Sequence, residues 1–287
     1  MPKSWGSVAR RGAHNVRQGP SLEHESTRRQ PASGPGPQDE WVLLEDEVTP
    51  TERPEVRTTP RVAPEVPGDV AAAIRRAASD ATAYRREKLV EQMGKAAEAY
   101  ERHRFEEASR LASRLAETVP EVTAVRELAG LAAYRSGLFG PASKHLEAYR
   151  VQSQEPGYLP LEMDAARARG RRRRVEELFE ELRSESPDPD TLAEGRIVLA
   201  ASFADRGKTA EAIELLESNG AGKPRRNPGE RHLRQWYLLG DLYDKSGDVP
   251  RARGFFEMVA RVDATAYDVP DRLRDLGGGR GRSTKRS

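Results

Sequence analysis

The chain contains no cysteine. This excludes a disulfide framework, a thiol nucleophile and any zinc or iron–sulfur site built on thiolates. It also lacks an apolar run approaching the ~18 residues that a membrane span needs. Its opening, MPKSWGSVARRG (1–12), has no apolar stretch of the kind that forms a secretory leader. The expectation is a cytoplasmic protein without a membrane segment.

Histidine is scarce as well, at five residues: His14, His24, His103, His145 and His232. No two have the i, i+4 helical spacing of a metal pair, and HExxH is absent. GxSxG does not occur. The stretch GAGKP (220–224) approaches a phosphate-binding loop but fails it. Glu217 stands where the first glycine belongs, and Pro224 where a Ser or Thr would hold magnesium. Carboxylates are abundant but fall on faces expected to be solvated, so none pairs into an acid–base couple. The sequence therefore predicts a non-enzymatic protein with no catalytic residues, cofactor or metal.

What remains is charge, proline and a periodic apolar pattern, unevenly distributed. Charged residues make up 33% of the chain, against about 25% in an ordinary soluble domain. The 48 basic and 46 acidic residues nearly cancel. Residues 1–67 hold 10 of the 20 prolines and only 17 apolar residues, too few to offset the chain entropy of folding, so they are predicted to be a disordered tail. Within that tail, residues 1–30 are basic, whereas DEWVLLEDE (39–47) carries five acids and no base. Residues 277–287, GGGRGRSTKRS, are predicted to be a second disordered tail, basic in character. Residues 68–276 are rich in Ala, Leu, Glu and Arg and show no useful run of period-two alternation, so the prediction is all-α.

This central part repeats itself. Trp236, Leu239, Gly240, Tyr243, Gly247, Ala252 and Phe256 form the clearest unit. In the same phase upstream lie Arg196, Leu199, Ala200, Phe203, Gly207, Ala212 and Leu216. Met163, Ala166, Gly170, Val175 and Phe179 make a weaker copy. Gly130, Ala133, Tyr134, Gly137, Phe139, Ala142 and Leu146 make another, and Ala96, Ala99, Tyr100, Phe105 and Ala108 the first. Units begin near 89, 123, 156, 193 and 233. The eighth position is mostly small (Ala96, Gly130, Met163, Ala200, Gly240), and so is the twentieth (Ala108, Ala142, Val175, Ala212, Ala252), which suits two helices crossing closely. The fifteenth (His103, Gly137, Gly170, Gly207, Gly247) suits a left-handed helix end. Pro120, Pro187 and Pro224 fall where each second helix is expected to stop. Asp69 is the expected N-cap of a leading helix that opens at Val70, and Asp268 and Pro270 start a trailing one closed by Gly277.

The spacing W-x2-L-G-x2-Y, followed by an Ala and an aromatic, resembles the tetratricopeptide repeat. AVRELAGLAAYRSG (124–137) followed by YLPL (158–161) is similar to a set of bacterial tetratricopeptide proteins with charged N-terminal tails, over roughly 85–265. The resemblance implies a right-handed α-solenoid of about five helix pairs with capping helices. It also implies a scaffold or adaptor that binds a peptide or partner segment in the concave groove. The groove positions carried over are Met93, Ala97, Tyr100, Glu127, Leu131, Tyr134, Arg135, Asp164, Arg167, Ile197, Ala201, Arg234, Tyr237, Asp241 and Asp244. The Asn and Lys/Arg clamp by which some members grip a C-terminal carboxylate is absent, since Met93, Ala97, Glu127 and Leu131 occupy its places.

Two further features are read from charge, the first straddling the turn of the third unit and the second in the N-terminal tail. The run ARARGRRRR (166–174) forms a basic ridge of Arg167, Arg169, Arg171, Arg172, Arg173 and Arg174. It supports an alternative reading as a nucleic-acid-associated protein, although no aromatics interleave it for base stacking. The Trp41, Val42, Leu43 and Leu44 core of the acidic segment reads as a linear motif. It would serve either self-docking of residues 39–47 or direct capture of a protein partner.

Overall fold

The computed structural model describes residues 65–185 and 187–277. The regular structure among them is helical throughout. A leading helix α1 (Gly68–Ala77) is followed by α2 (Ala83–Glu101) and α3 (Phe105–Thr118), α4 (Thr123–Arg135) and α5 (Phe139–Ser153), and a 3-10 turn at Pro156–Tyr158. Then come α6 (Leu159–Ala168) and α7 (Arg172–Ser184), α8 (Pro189–Ala204) and α9 (Thr209–Ser218), α10 (Glu230–Lys245) and α11 (Val249–Val262), and a closing helix α12 (Val269–Gly277). Each helix packs on its neighbours in the chain. The first helices of successive pairs also touch directly at α2–α4, α6–α8 and α8–α10.

One turn chemistry recurs between the two helices of each pair. His103, Gly137, Gly170, Gly207 and Gly247 all adopt the left-handed conformation, with φ of 60°, 74°, 68°, 73° and 82°. The next residue then donates its N–H to the carbonyl five positions back: Arg104 to Ala99 (2.8 Å), Leu138 to Ala133 (2.9 Å), Arg171 to Ala166 (2.9 Å), Lys208 to Phe203 (3.0 Å) and Asp248 to Tyr243 (2.9 Å). This is the closure that satisfies carbonyls left over at a helix C-terminus. Four of the five turns use glycine, which bears no Cβ to clash at positive φ.

The small positions explain how the pairs close. Ala108, Ala142, Val175, Ala212 and Ala252 are fully buried at 0% exposure. A Cβ on Gly130 would stand 2.8 Å from the Leu146 side chain and 3.1 Å from its backbone nitrogen, and one on Gly240 would stand 2.8 Å from the Phe256 ring. Gly195 makes a similar approach to Leu182 between consecutive pairs, a contact that the repeat phase does not reveal.

The buried apolar side chains form several clusters rather than one core. The largest runs from Val70 to Tyr158, a second from Leu159 to Leu199, and a third from Ala200 to Val269. A small group of Ala133, Tyr134, Ala142 and Ala165 joins the first two.

Several local expectations are corrected. Asp69 is not a cap, because α1 already begins at Gly68 with Pro67 at the N-cap. Asp69 instead sits in the first turn, where its charge complements the helix dipole. The helix α1 ends at Ala77, and after the turn at 78–82 Thr82 caps α2 by accepting from the Arg85 N–H at 3.3 Å. The helix α9 ends at Ser218, well before Pro224, and Gly220 turns left-handed just beyond it. Asp188 of the Asp-Pro-Asp stretch caps α8, its Oδ1 accepting from the N–H groups of both Asp190 (2.9 Å) and Thr191 (3.0 Å). Burial acts to raise the Asp188 carboxyl, but these bonds and the Thr191 hydroxyl outweigh it and hold it below its ordinary value. The tail segments 1–64 and 278–287 lie outside the described residues, and the linear motif Trp41–Leu44 lies with them.

Candidate functional site

The residues expected to face a groove lie on the first helices of the pairs, and they divide into two groups. Met93 and Leu131 are 1% exposed, Ala97 is 0% and Ile197 5%, so these four belong to the core and offer no surface to a ligand. That corrects the sequence expectation, and the reason is geometric. Along these helices the positions assigned to the groove also meet the next pair. Tyr100 is buried too; its ring meets Phe105 edge-on at 5.3 Å, and the Arg135 guanidinium lies 4.4 Å over the same Phe105 ring.

The polar members are tied to one another across the pairs. Tyr158 donates its hydroxyl to Glu127 at 2.5 Å, linking α4 to the turn ahead of α6. Tyr134 donates to Asp164, a second link between α4 and α6. Arg167 donates Nε to Asp164 at 3.0 Å and Nη1 to Asp205 at 2.8 Å, tying α6 to the end of α8. Arg234 of α10 pairs with Glu194 of α8 at 2.6 Å. Tyr237 donates to Asp268 at 2.6 Å, and Arg272 of α12 pairs with both Asp241 and Asp244 of α10. Apart from Arg167–Asp164 within α6, partners in this ladder stand 28 to 40 positions apart in the chain, about one repeat. Sequence phase located the positions but not their pairing.

The electrostatics follow from that pairing. Burial works against the Arg167 cation, yet Asp164 and Asp205 outweigh it and hold its pKa above the ordinary value. Burial, with Asp268 beside it, raises the Tyr237 phenol, and burial with Glu230 raises that of Tyr267. The last pair is the most occluded. The Tyr267 ring lies 4.8 Å from Tyr237, and Arg272 lies 5.2 Å over Phe256, so the segment ending in α12 covers Tyr237 and Asp241. Access is greater in the middle, where Arg167 keeps 31% of its side-chain surface and Asp205 54%.

The arginine ridge sits in the turn between α6 and α7. Arg167 is engaged as above, Arg173 pairs with Glu177 at 3.0 Å, and Arg174 with Glu147 at 3.4 Å. Arg169, Arg171 and Arg172 are exposed and have no ion pair among the described residues.

Two other places bring chemically suggestive groups together. Ser113 Oγ lies 3.1 Å from His145 Nε2, as in a nucleophile–base pair. Its other nitrogen, Nδ1, faces Arg126 Nη1 at 3.3 Å, and a guanidinium only donates. The ring proton must then sit on Nε2 and point at Ser113, the wrong tautomer for a base. Burial, helped by Arg126 and Lys144, pushes the ring down to about 4, so it stays neutral. The second place is an open hollow of about 440 Å³ beside the starts of α8 and α10, lined by Asp190, Glu194, Glu230, Arg231 and His232, among others. Its charges are already engaged: Arg231 with Asp190 at 2.6 Å, Arg234 with Glu194, and Glu230 with the Tyr267 hydroxyl at 2.8 Å. Among the described residues no group of three or more His, Asp or Glu could hold a metal ion, and no helix is long and apolar enough to cross a membrane.

Comparison with known proteins returns no match, either to a family model or to a curated protein.

Proposed function

We propose that the chain is a non-enzymatic scaffold of the tetratricopeptide type. In this reading it is a cytoplasmic right-handed solenoid of five helix pairs, closed by α1 and α12, which binds a peptide segment of a protein partner along the face of its first helices. Two observations support the architecture. The left-handed turns recur 34, 33, 37 and 40 residues apart. The same small positions are buried in every pair.

The observation that carries the binding reading is the partly exposed row of charges along α4, α6, α8 and α10: Arg135, Arg167 with Asp205, and Glu194 with Arg234, most open at Arg167 and Asp205. Such a row can exchange its internal hydrogen bonds for those of an extended segment of mixed charge at little net loss. With Met93, Leu131 and Ile197 in the core, recognition would be chiefly polar. A partner would therefore be selected by charge order and bound in a salt-sensitive way.

The test compares the proteins retained by the full-length chain and by its Arg167→Glu and Arg234→Glu variants, with helical content checked by circular dichroism. A partner kept by the wild type and lost from both folded variants is the expected result. A partner set unchanged by both reversals would overturn this face as the binding site.

A further inference from the structure

The acidic segment 39–47 and the arginine ridge answer each other, and the ridge is the better seat for it than the first-helix face. That face is internally paired rung by rung, and its apolar members are buried. The ridge is different. Arg169, Arg171 and Arg172 are exposed cations without a carboxylate partner among the described residues. Arg169 is the C-cap of α6, Arg171 and Arg172 open α7, and neither α7 nor the adjacent α5 has an acid in its first turn. The Arg169 guanidinium carbon lies 4.0 Å from where a Cβ on Gly140 would be, so this cation rests against the start of α5. Arg169 thus answers the negative end of α6, while Arg171 and Arg172 add to the positive end of α7 with no carboxylate paired to them among the described residues. On the same edge Leu138 leaves 43% of its surface exposed, a large apolar residue beside the cations.

We propose that residues 39–47 of the same chain dock on this ridge. Asp39, Glu40, Glu45, Asp46 and Glu47 would answer Arg169, Arg171 and Arg172, and the apolar stretch Trp41–Leu44 would cover Leu138. Residues 48–64 separate the segment from Glu65, the first described residue, and 17 residues can extend over about 58 Å. A tether of this length presents the segment at roughly millimolar effective concentration, enough for a contact made of exposed ion pairs and one apolar patch. Such docking would keep the ridge closed to other polyanions until a competitor displaces the segment. It does not depend on what the first-helix face binds.

The absence of cysteine makes the test direct, since two introduced thiols are the only labelling sites. Thr49→Cys and Ala168→Cys in the full-length chain, each carrying a nitroxide, report their separation by pulsed electron–electron resonance. A single short-distance peak at low salt is expected. It should be lost in Arg169→Glu/Arg171→Glu/Arg172→Glu and regained when Glu45→Lys, Asp46→Lys and Glu47→Lys are added to that background. Circular dichroism should show unchanged helicity in all variants, because the three arginine side chains make no hydrogen bond or ion pair among the described residues. The absence of a short-distance peak in the wild-type background would overturn the proposal and leave the ridge to an external acidic protein or nucleic acid. Persistence of the peak after charge reversal would overturn it too. Loss of the peak on dilution with excess unlabelled chain would show a contact between two copies, which also refutes docking within one chain.

Discussion

Glu162 of α6 is 2% exposed and lies 3.0 Å from Arg150 Nε of α5. Arg150 also reaches Glu181 of α7, so one guanidinium joins three helices. Burial pushes the Glu162 carboxyl up to about 7 against the pull of Arg150. The folded chain therefore holds a proton here that the unfolded chain releases above its ordinary value of about 4.5. The stabilising contribution is complete below 4.5 and is lost as pH rises through 7. His145 does the reverse. Its ring is pushed down to about 4, so its contribution is complete above 6.5 and is lost as pH falls toward 4. Each contribution amounts to at most about 3 kcal/mol. Urea midpoints should then show Glu162→Gln gaining on the wild type as pH rises from 4.5 to 7, and His145→Gln gaining as pH falls from 6.5 to 4. Two difference curves of the same sign would refute the assignment.

The Tyr158 hydroxyl supplies a hydrogen bond to a carboxylate that is itself only 7% exposed, that of Glu127. Tyr158→Phe keeps the ring contact with Tyr149 at 5.3 Å and removes the donor. The expected cost is about 1–3 kcal/mol, the penalty for weakening a buried hydrogen bond to a charged group. Chemical denaturation of the two proteins measures it. A loss below about 0.3 kcal/mol would mean that water replaces the phenol.

The turn positions yield a pair of opposite outcomes. His103 holds φ at 60° with a Cβ present, where the other four turns use glycine. His103→Gly should raise the melting temperature, since relief of ~1 kcal/mol of left-handed strain exceeds the entropy added to the unfolded chain. Gly170→Ala should lower it by a similar free energy. Thermal scans that move both variants in one direction would contradict the shared turn geometry.

Close approach gives a steeper effect. In Gly130→Ala the new methyl would meet the Leu146 side chain at 2.8 Å and its backbone nitrogen at 3.1 Å. Leu146 is fully buried and the backbone cannot yield cheaply, so a loss of about 1–3 kcal/mol is expected from equilibrium unfolding. Gly254→Ala is the control, because nothing lies within 4 Å of its Cβ position and the change should be neutral or mildly stabilising.

These outcomes also mark what the sequence could say. The left-handed turns and the small positions follow from a phase that glycine and alanine betray locally, because they predominate there, with His103, Met163 and Val175 as the exceptions. The ladder was not legible in the same way. Glu127, Asp164, Asp241 and Asp244 sit at positions that face outward in an open array, and a single sequence does not show that Tyr158, Tyr134 and Arg272 lie opposite them. Met93 and Ile197 misled for a related reason: the same helix stripe meets both the ligand face and the next pair, and only packing separates the two. Asp188 was missed because Asp-Pro-Asp looks like a plain helix stop, whereas its first Asp caps the helix that follows. The ridge was visible as a run of arginines, but which three lack partners depends on Glu147 and Glu177, and Glu147 belongs to a different pair.

The division of the apolar core between Tyr158 and Leu159 bears on how its two sides hold together. At that joint α4 and α6 share little backbone packing, unlike α6 and α8, and the short α6 is joined to α4 chiefly through Tyr158–Glu127 and Tyr134–Asp164. Across the divide α5 still packs on α6, and Arg150 reaches Glu162 and Glu181, so the two parts meet over a small apolar group and a set of polar ties that salt and pH act on more than on an apolar seam. The unpaired Arg169 rests against α5 from the α6 side, so an anion bound there would touch both parts.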